Sequence, residues 1–173
     1  MTGSDSTIAD LPDRPRGRAG RWAHRGGVAL LVVLVAAGAS GALGPRAGHT
    51  AATGGGYHLR VTYPEITRAG QPAPLHLVIT REGGFEKPVQ VALCDDFFDN
   101  LDFQGWFPAP AAEAGDPDAV VYEFDPPRAD ELEISLDARS APGQFAGAEK
   151  CSVEVLEDDE PVAAVSFTSW RMP

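Results

Sequence analysis

The chain has 173 residues, of which 43% are hydrophobic, and a formal net charge of −11. The charge is uneven, because residues 1–27 carry five Arg against three Asp, whereas residues 45–173 carry nine Lys and Arg against twenty-two Asp and Glu. The acidic C-terminal part repels nucleic acid and anionic headgroups and attracts basic partners, so we expect no nucleic-acid ligand.

The segment from Gly26 to Pro45 contains no charged residue and includes the apolar run Val28–Val35. A helix of this length measures about 30 Å, the thickness of the hydrocarbon core of a bilayer. Positive residues mark the cytoplasmic side of such a helix, and this segment is preceded by Arg14, Arg16, Arg18, Arg21 and Arg25. We predict a disordered cytoplasmic tail over residues 1–25, a transmembrane helix over residues 26–44, and a C-terminal part outside the cytoplasm.

A cleaved secretory signal peptide is the alternative to this anchor. The small residues around Ala39 and Ala42 suit a cleavage site, and Gly38 and Gly41 weaken a spanning helix. The long N-terminal region, the full membrane length of the uncharged span and the interfacial position of Trp22 favour an anchor that is retained. We therefore expect a single-pass membrane protein, and a secreted protein if cleavage occurs.

The remainder of the chain has the periodicity of β-structure. Residues 45–56, which include three consecutive glycines, predict a flexible linker. From Tyr57 onward, apolar residues recur at every second position, with turn residues between the runs. Seven strands are predicted, over residues 57–63, 75–80, 89–93, 120–124, 132–136, 151–155 and 163–167. Seven short strands, each with one apolar face, predict one all-β domain over residues 57–173, an immunoglobulin-like two-sheet sandwich.

Two stretches carry a resemblance to a known group of domains. In Thr67–Gly84 a glycine turn leads into an alternating strand that ends in a second glycine turn, and Asp125–Pro127 precedes the alternating run Leu132–Leu136. These stretches resemble the second and fifth strands of bacterial extracytoplasmic immunoglobulin-like domains. The whole chain resembles single-pass membrane proteins of high-GC bacteria that carry one such domain. The resemblance implies an extracytoplasmic β-sandwich that binds or spaces other molecules.

The two cysteines, Cys94 and Cys151, lie in the part predicted to be outside the cytoplasm, where a disulfide persists. A bridge between them closes a loop of 57 residues and stabilises the fold by about 4 kcal/mol in the entropic model. Strand parity opposes the bridge, since Cys151 shares the face of Val153 whereas Cys94 lies opposite Leu93. A bend after Leu93 removes this objection, and two buried free thiols are the alternative.

The segment from Asp95 to Pro108 concentrates five of the fourteen aromatic residues together with four aspartates. Exposed aromatic rings beside carboxylates form a binding patch for a sugar ring or a basic protein. Alternatively, the rings pack into the open end of the sandwich. The candidate patch residues are Phe97, Phe98, Phe103, Trp106 and Phe107.

Metal and catalytic patterns are weak in this sequence. The aspartates do not have the spacing of a calcium-binding loop, and Glu157–Glu160 is most simply a solvated hairpin turn. His58 and His76 share an outward parity, but two imidazoles are only half of a zinc site. The motifs of nucleophilic, zinc-dependent and nucleotide-dependent enzymes do not occur. We therefore expect a protein without catalytic, cofactor or metal site.

These observations favour a non-catalytic accessory or scaffold subunit that binds a basic envelope or membrane protein. Its second partner is the bilayer, through residues 26–44. A secreted module that binds carbohydrate or the cell wall is the main alternative, and it predicts cleavage near Ala39 or Ala42 and an exposed Trp106. A hydrolase that uses a pair of carboxylates is a more distant alternative, because the sequence marks no acidic cleft.

Overall fold

The computed structural model describes residues 17–41, 44–116, 118–143 and 146–172, without the side chains of Phe103, Gln104 and Asp116. The chain divides into two compact units, residues 1–43 and residues 44–173.

The first unit contains one helix, α1 (Arg18–Ala39), whose last turn is closed by the amide of Ser40 donating to the carbonyl of Ala36 at 2.9 Å. The helix is long and apolar enough to cross a membrane, a property that it shares with signal sequences. It differs from the predicted span of 26–44 because it begins within the predicted disordered tail, where Ala19, Ala23 and the arginines are good helix formers. The rest of that tail, residues 1–16, lies outside the described residues.

The second unit is all-β, and 57% of the described residues are in strands. Its strands are β1 (Arg46–Gly54), β2 (Tyr57–Arg68), β3 (Leu75–Arg81), β4 (Val89–Cys94), β5 (Leu101–Phe107), β6 (Ala112–Asp116), β7 (Ala119–Phe124), β8 (Glu131–Ser140), β9 (Gly147–Glu157) and β10 (Glu160–Met172). A short 3₁₀ helix, Asp95–Asn100, connects β4 with β5. The predicted β class is therefore confirmed.

The strands form one curled sheet in the order β5-β8-β3-β2-β10-β9-β4-β7-β6, and β1 lies off this path and pairs with β2. β2 and β10 are parallel, whereas the other pairings are antiparallel. The sheet is not clearly the two-sheet immunoglobulin-like sandwich that the sequence predicts, and it has ten strands instead of about seven.

Strand β2 connects the two halves of the sheet because it changes partners along its length. Tyr57 pairs with β1 on one edge and with β3 on the other, whereas Ile66 pairs with β1 and with β10. The edge that faces β3 at the start of β2 therefore faces β10 at its end. The change occurs around Pro64, which has no N–H to donate to a ladder. The carbonyl of Pro64 accepts a hydrogen bond from Ser169 Oγ at 2.6 Å.

Alternate side chains from both halves of the sheet meet in one core. Its twelve most deeply buried large side chains come from β2, β3, β4, β7, β8 and β9. Each such side chain contributes about 1.5–3 kcal/mol relative to an exposed one. These residues are Phe124, Leu59, Leu75, Leu77, Ile79, Leu93, Ile134, Leu136, Val61, Val89, Val91 and Val153.

The three strands that the sequence does not predict are β1, β5 and β6. The linker predicted over residues 45–56 is instead largely β1, which forms a hairpin with β2 through a two-residue turn at Gly55 and Gly56. Both glycines have positive φ angles, 57° and 82°, and Gly-Gly is a favoured sequence for such a turn. β5 and β6 lie between the predicted strands 89–93 and 120–124, where the sequence predicts no strand.

Candidate functional site

The predicted aromatic patch is mostly a packed cluster. Phe97 is buried, and its ring centroid lies 5.8 Å from that of Phe167 on β10. The ring centroid of Trp106 on β5 lies 4.9 Å from that of Tyr122 on β7, and the ring of Phe98 contacts both rings edge-on. Phe97 is therefore buried in the core, and the partly buried Phe98 and Trp106 pack against it, which is the arrangement that the sequence analysis gives as the alternative to an exposed patch.

The remaining patch residues do not join this cluster. Phe107 is 79% exposed at the end of β5, and the side chain of Phe103 lies outside the described residues. Within the cluster, the buried Nε1 of Trp106 has no hydrogen-bond partner among the described residues. Burial raises the pKa of the Tyr122 phenol above its ordinary value of 10.0.

The structure joins Cys94 and Cys151 in a disulfide, with a Cα–Cα distance of 5.4 Å. Leu93 pairs with Val153, so a straight continuation of β4 would direct Cys94 away from the face of Cys151. The pairing of β4 with β9 instead ends at Leu93, and Cys94, the last residue of β4, bends with φ −58° and ψ 135° immediately before the 3₁₀ helix. This bend brings the two sulfurs together, so the strand-parity objection to the bridge does not apply.

Glu149 anchors the end of the 3₁₀ helix, a role that the sequence analysis missed. Its Oε1 accepts a hydrogen bond from Asn100 Nδ2 and an ion-pair contact of 2.5 Å from Arg171 Nη1. Glu149 shares the inward parity of Cys151, and Arg171 that of Ser169. An acidic residue at an inward-facing strand position requires a partner of opposite charge. This requirement is the sequence signal that could have identified the role of Glu149.

A second group of polar contacts lies at what we call the turn end, where the β1–β2 turn (Gly55 and Gly56) and the β9–β10 turn (Asp158 and Asp159) meet. Arg81 donates through Nη1 to the Tyr57 hydroxyl at 2.7 Å and through Nη2 to Glu157 at 3.2 Å. Burial raises the pKa of Tyr57, and the charge of Arg81 opposes this rise. The predicted hairpin turn at Glu157–Glu160 is present, with both aspartates exposed.

The outer face of β1, β2 and β3 carries three histidines. The Nδ1 atoms of His49, His58 and His76 are hydrogen-bonded to a hydroxyl on the neighbouring strand at 2.9–3.0 Å. Within residues 17–41, 44–116, 118–143 and 146–172, no three His, Cys, Asp or Glu side chains are grouped to hold a metal ion.

An apolar surface at the opposite end of the sheet was also missed. We call this end the tether end, because Arg46 begins β1 there. An open groove of about 370 Å³, the proline groove, is lined chiefly by Pro45, Pro64, Ile66, Pro72, Pro74 and His76. Trp170 and Met172, at the end of β10, are 54% and 37% exposed. Because two large apolar side chains of one strand are exposed here, this surface is a candidate contact site.

No protein-family model matches this chain, and no curated protein is significantly similar to it.

Proposed function

We propose that this chain is a non-catalytic, membrane-anchored accessory or scaffold subunit whose β domain lies outside the cytoplasm and binds another envelope protein. The observation that carries the proposal is the succession of an apolar, acid-free α1 and a disulfide-bridged β domain. Disulfides persist outside the reducing cytoplasm. The arginines before the apolar run support a cytoplasmic N-terminus, as the positive-inside rule expects.

We also propose that the curled sheet is an open variant of an immunoglobulin-like sandwich. Two groups of strands, β5-β8-β3-β2 and β10-β9-β4-β7-β6, contribute to one core and are connected through β2. Domains of this type carry variable binding surfaces on a stable frame, which suits a subunit that acts by contact.

The turn end is the surface that we assign to the partner. Exposed carboxylates concentrate there, at Glu82, Glu86 and Asp158–Glu160, and Lys87 is paired with Asp158. Such a charge attracts a basic partner over several ångströms and orients its approach. A carbohydrate-binding module is less well supported, because its stacking residue Trp106 packs against Tyr122 instead of facing solvent.

The topology is tested with reporters fused after Pro173 in the bacterial host. We expect an alkaline phosphatase fusion to be active and a fluorescent-protein fusion to be dark, with the intact chain in the membrane fraction. A fluorescent cytosolic fusion, or a chain shortened near Ala39 or Ala42, would contradict the anchored topology.

Binding is tested with a photo-crosslinking amino acid placed at Asp159. We expect a basic envelope protein to be captured, and capture to fall in high salt and in an E160K variant. The matched control is D137K, which makes the same kind of charge change on an exposed residue in the middle of β8. Equal loss of capture in D137K would show that overall charge, and not the turn end, determines binding.

A further inference from the structure

We propose that the surface around Trp170, together with the proline groove, lies against the headgroup layer of the bilayer that holds α1. This inference rests on the proposed membrane anchor and adds to it a lipid-binding surface on the β domain.

The surface is continuous across three strands. Trp170 faces outward because Ser169 on the same strand faces the core, and it pairs with Ile66 of β2 and Ala148 of β9. Ile66 also lines the proline groove. The groove and the exposed Trp170 and Met172 therefore form one apolar surface at the tether end.

Basic residues border this surface. Arg46 pairs with Ile66 and also forms an exposed ion pair with Glu65 at 3.2 Å, Arg68 pairs with Met172, and the exposed Lys150 lies two residues along β9 from Ala148. Tryptophan and basic side chains together are typical of the interface between a bilayer and water. Lys and Arg side chains near an anionic membrane surface are attracted to it electrostatically.

The charges of the domain favour one orientation. The turn end is strongly acidic, so an anionic headgroup layer repels it and attracts the basic border of the tether end. Aspartates of the 3₁₀ helix also lie toward the tether end, but they follow β4 and not the strands that carry Trp170. The acidic charge of the domain therefore opposes the approach of most of its faces to an anionic bilayer. The surface around Trp170, with its basic border, is the face that can approach the headgroups.

The length of the connection brings the bilayer within reach. Residues 40–45 alone separate the end of α1 from Arg46, which borders the surface. Six residues span at most about 25 Å when fully extended. In the anchored protein the headgroup layer is thus always available to this surface, whereas a protein partner must be recruited.

The test uses the full chain reconstituted in vesicles of phosphatidylcholine and phosphatidylglycerol, with and without lipids brominated on the upper acyl chain. The emission of Trp170 is obtained by subtracting the spectrum of the W170F variant from that of the wild type. We expect this emission to be blue-shifted and quenched by the brominated lipid, and an R46Q/K150Q variant to lose part of the quenching. The matched control is W170F/F107W, in which the exposed tryptophan lies on β5, and it should show no added quenching.

Trp170 emission that brominated lipid leaves unchanged, or equal quenching of the tryptophan at position 107, would overturn the lipid contact. A photo-crosslinker at position 170 that captures a protein in cells would also overturn it, in favour of a protein interface. Membrane integration with no quenching contradicts only this inference. Cleavage of α1 in cells contradicts the proposed anchor, whatever the vesicles show.

Discussion

Ion pairs in this domain differ mainly in how far they are removed from water. The side chains of Glu149 and Arg171 are 21% and 16% exposed, whereas those of Arg46 and Glu65 are 54% and 36% exposed. Exposed pairs contribute little, because water and salt screen them. Loss of one partner from a largely buried pair leaves the other charge without compensation, which is far more costly.

We therefore expect E149A to lower the free energy of unfolding by about 2 kcal/mol, a value reduced for the remaining exposure of the pair. It also releases Asn100 at the end of the 3₁₀ helix. The matched E65A variant should change the free energy of unfolding by less than about 0.5 kcal/mol. Urea unfolding of both variants checks this, and equal effects would show that Glu149 is no more important than a surface acid.

The raised pKa of Tyr122 makes stability sensitive to alkaline pH. A phenol whose pKa is higher in the folded state than in the unfolded chain stabilises the fold fully below the unfolded value, near 10, and loses this contribution as pH rises further. We expect the melting temperature to fall above about pH 10, and to fall less steeply in Y122F. Thermal melts between neutral and alkaline pH test this, and identical slopes in the two proteins would contradict it.

At the scale of the strand, the sequence predicts the strands that have an alternating apolar face and misses those that lack one. The seven predicted strands correspond to β2, β3, β4, β7, β8, β9 and β10, each of which has an alternating apolar face. β1 and β6 consist mainly of small or polar residues, so their pairing through the backbone leaves no apolar periodicity. In β5, a bulge between Phe103 and Gly105 breaks the alternation.

The hairpin of β1 and β2 depends on close backbone approach at Gly54. A Cβ atom there would collide with the main-chain carbonyl of Val162 on β10. We expect G54A to destabilise the domain by about 2 kcal/mol or more, as overpacking against backbone does. The control G115A, where a Cβ meets open space, should stay within about 1 kcal/mol of wild type. A neutral G54A in urea unfolding would indicate that this segment is a flexible linker after all.

For the molecule as a whole, composition and periodicity predict the β class and the apolar helix, but not the path of the sheet. That path depends on the change of partners along β2, a long-range property that no local pattern encodes. The two candidate contact regions show the same difference between local patterns, which the sequence reveals, and long-range arrangements, which it does not. The packed aromatic rings were visible in the sequence as a cluster, whereas the surface around Trp170 arises only when β10, β2 and β1 come together.

The pairing of β1 with β2 also determines how the domain responds to mechanical load. A pull exerted through residue 45, while a bound partner holds the turn end, acts along the strands. Nine register pairs between β1 and β2 then resist sliding at the same time, and they do not open one after another from the end. In the proposed anchored protein, this pairing would keep β1 attached to the sheet when tension acts between the bilayer and a partner bound at the turn end.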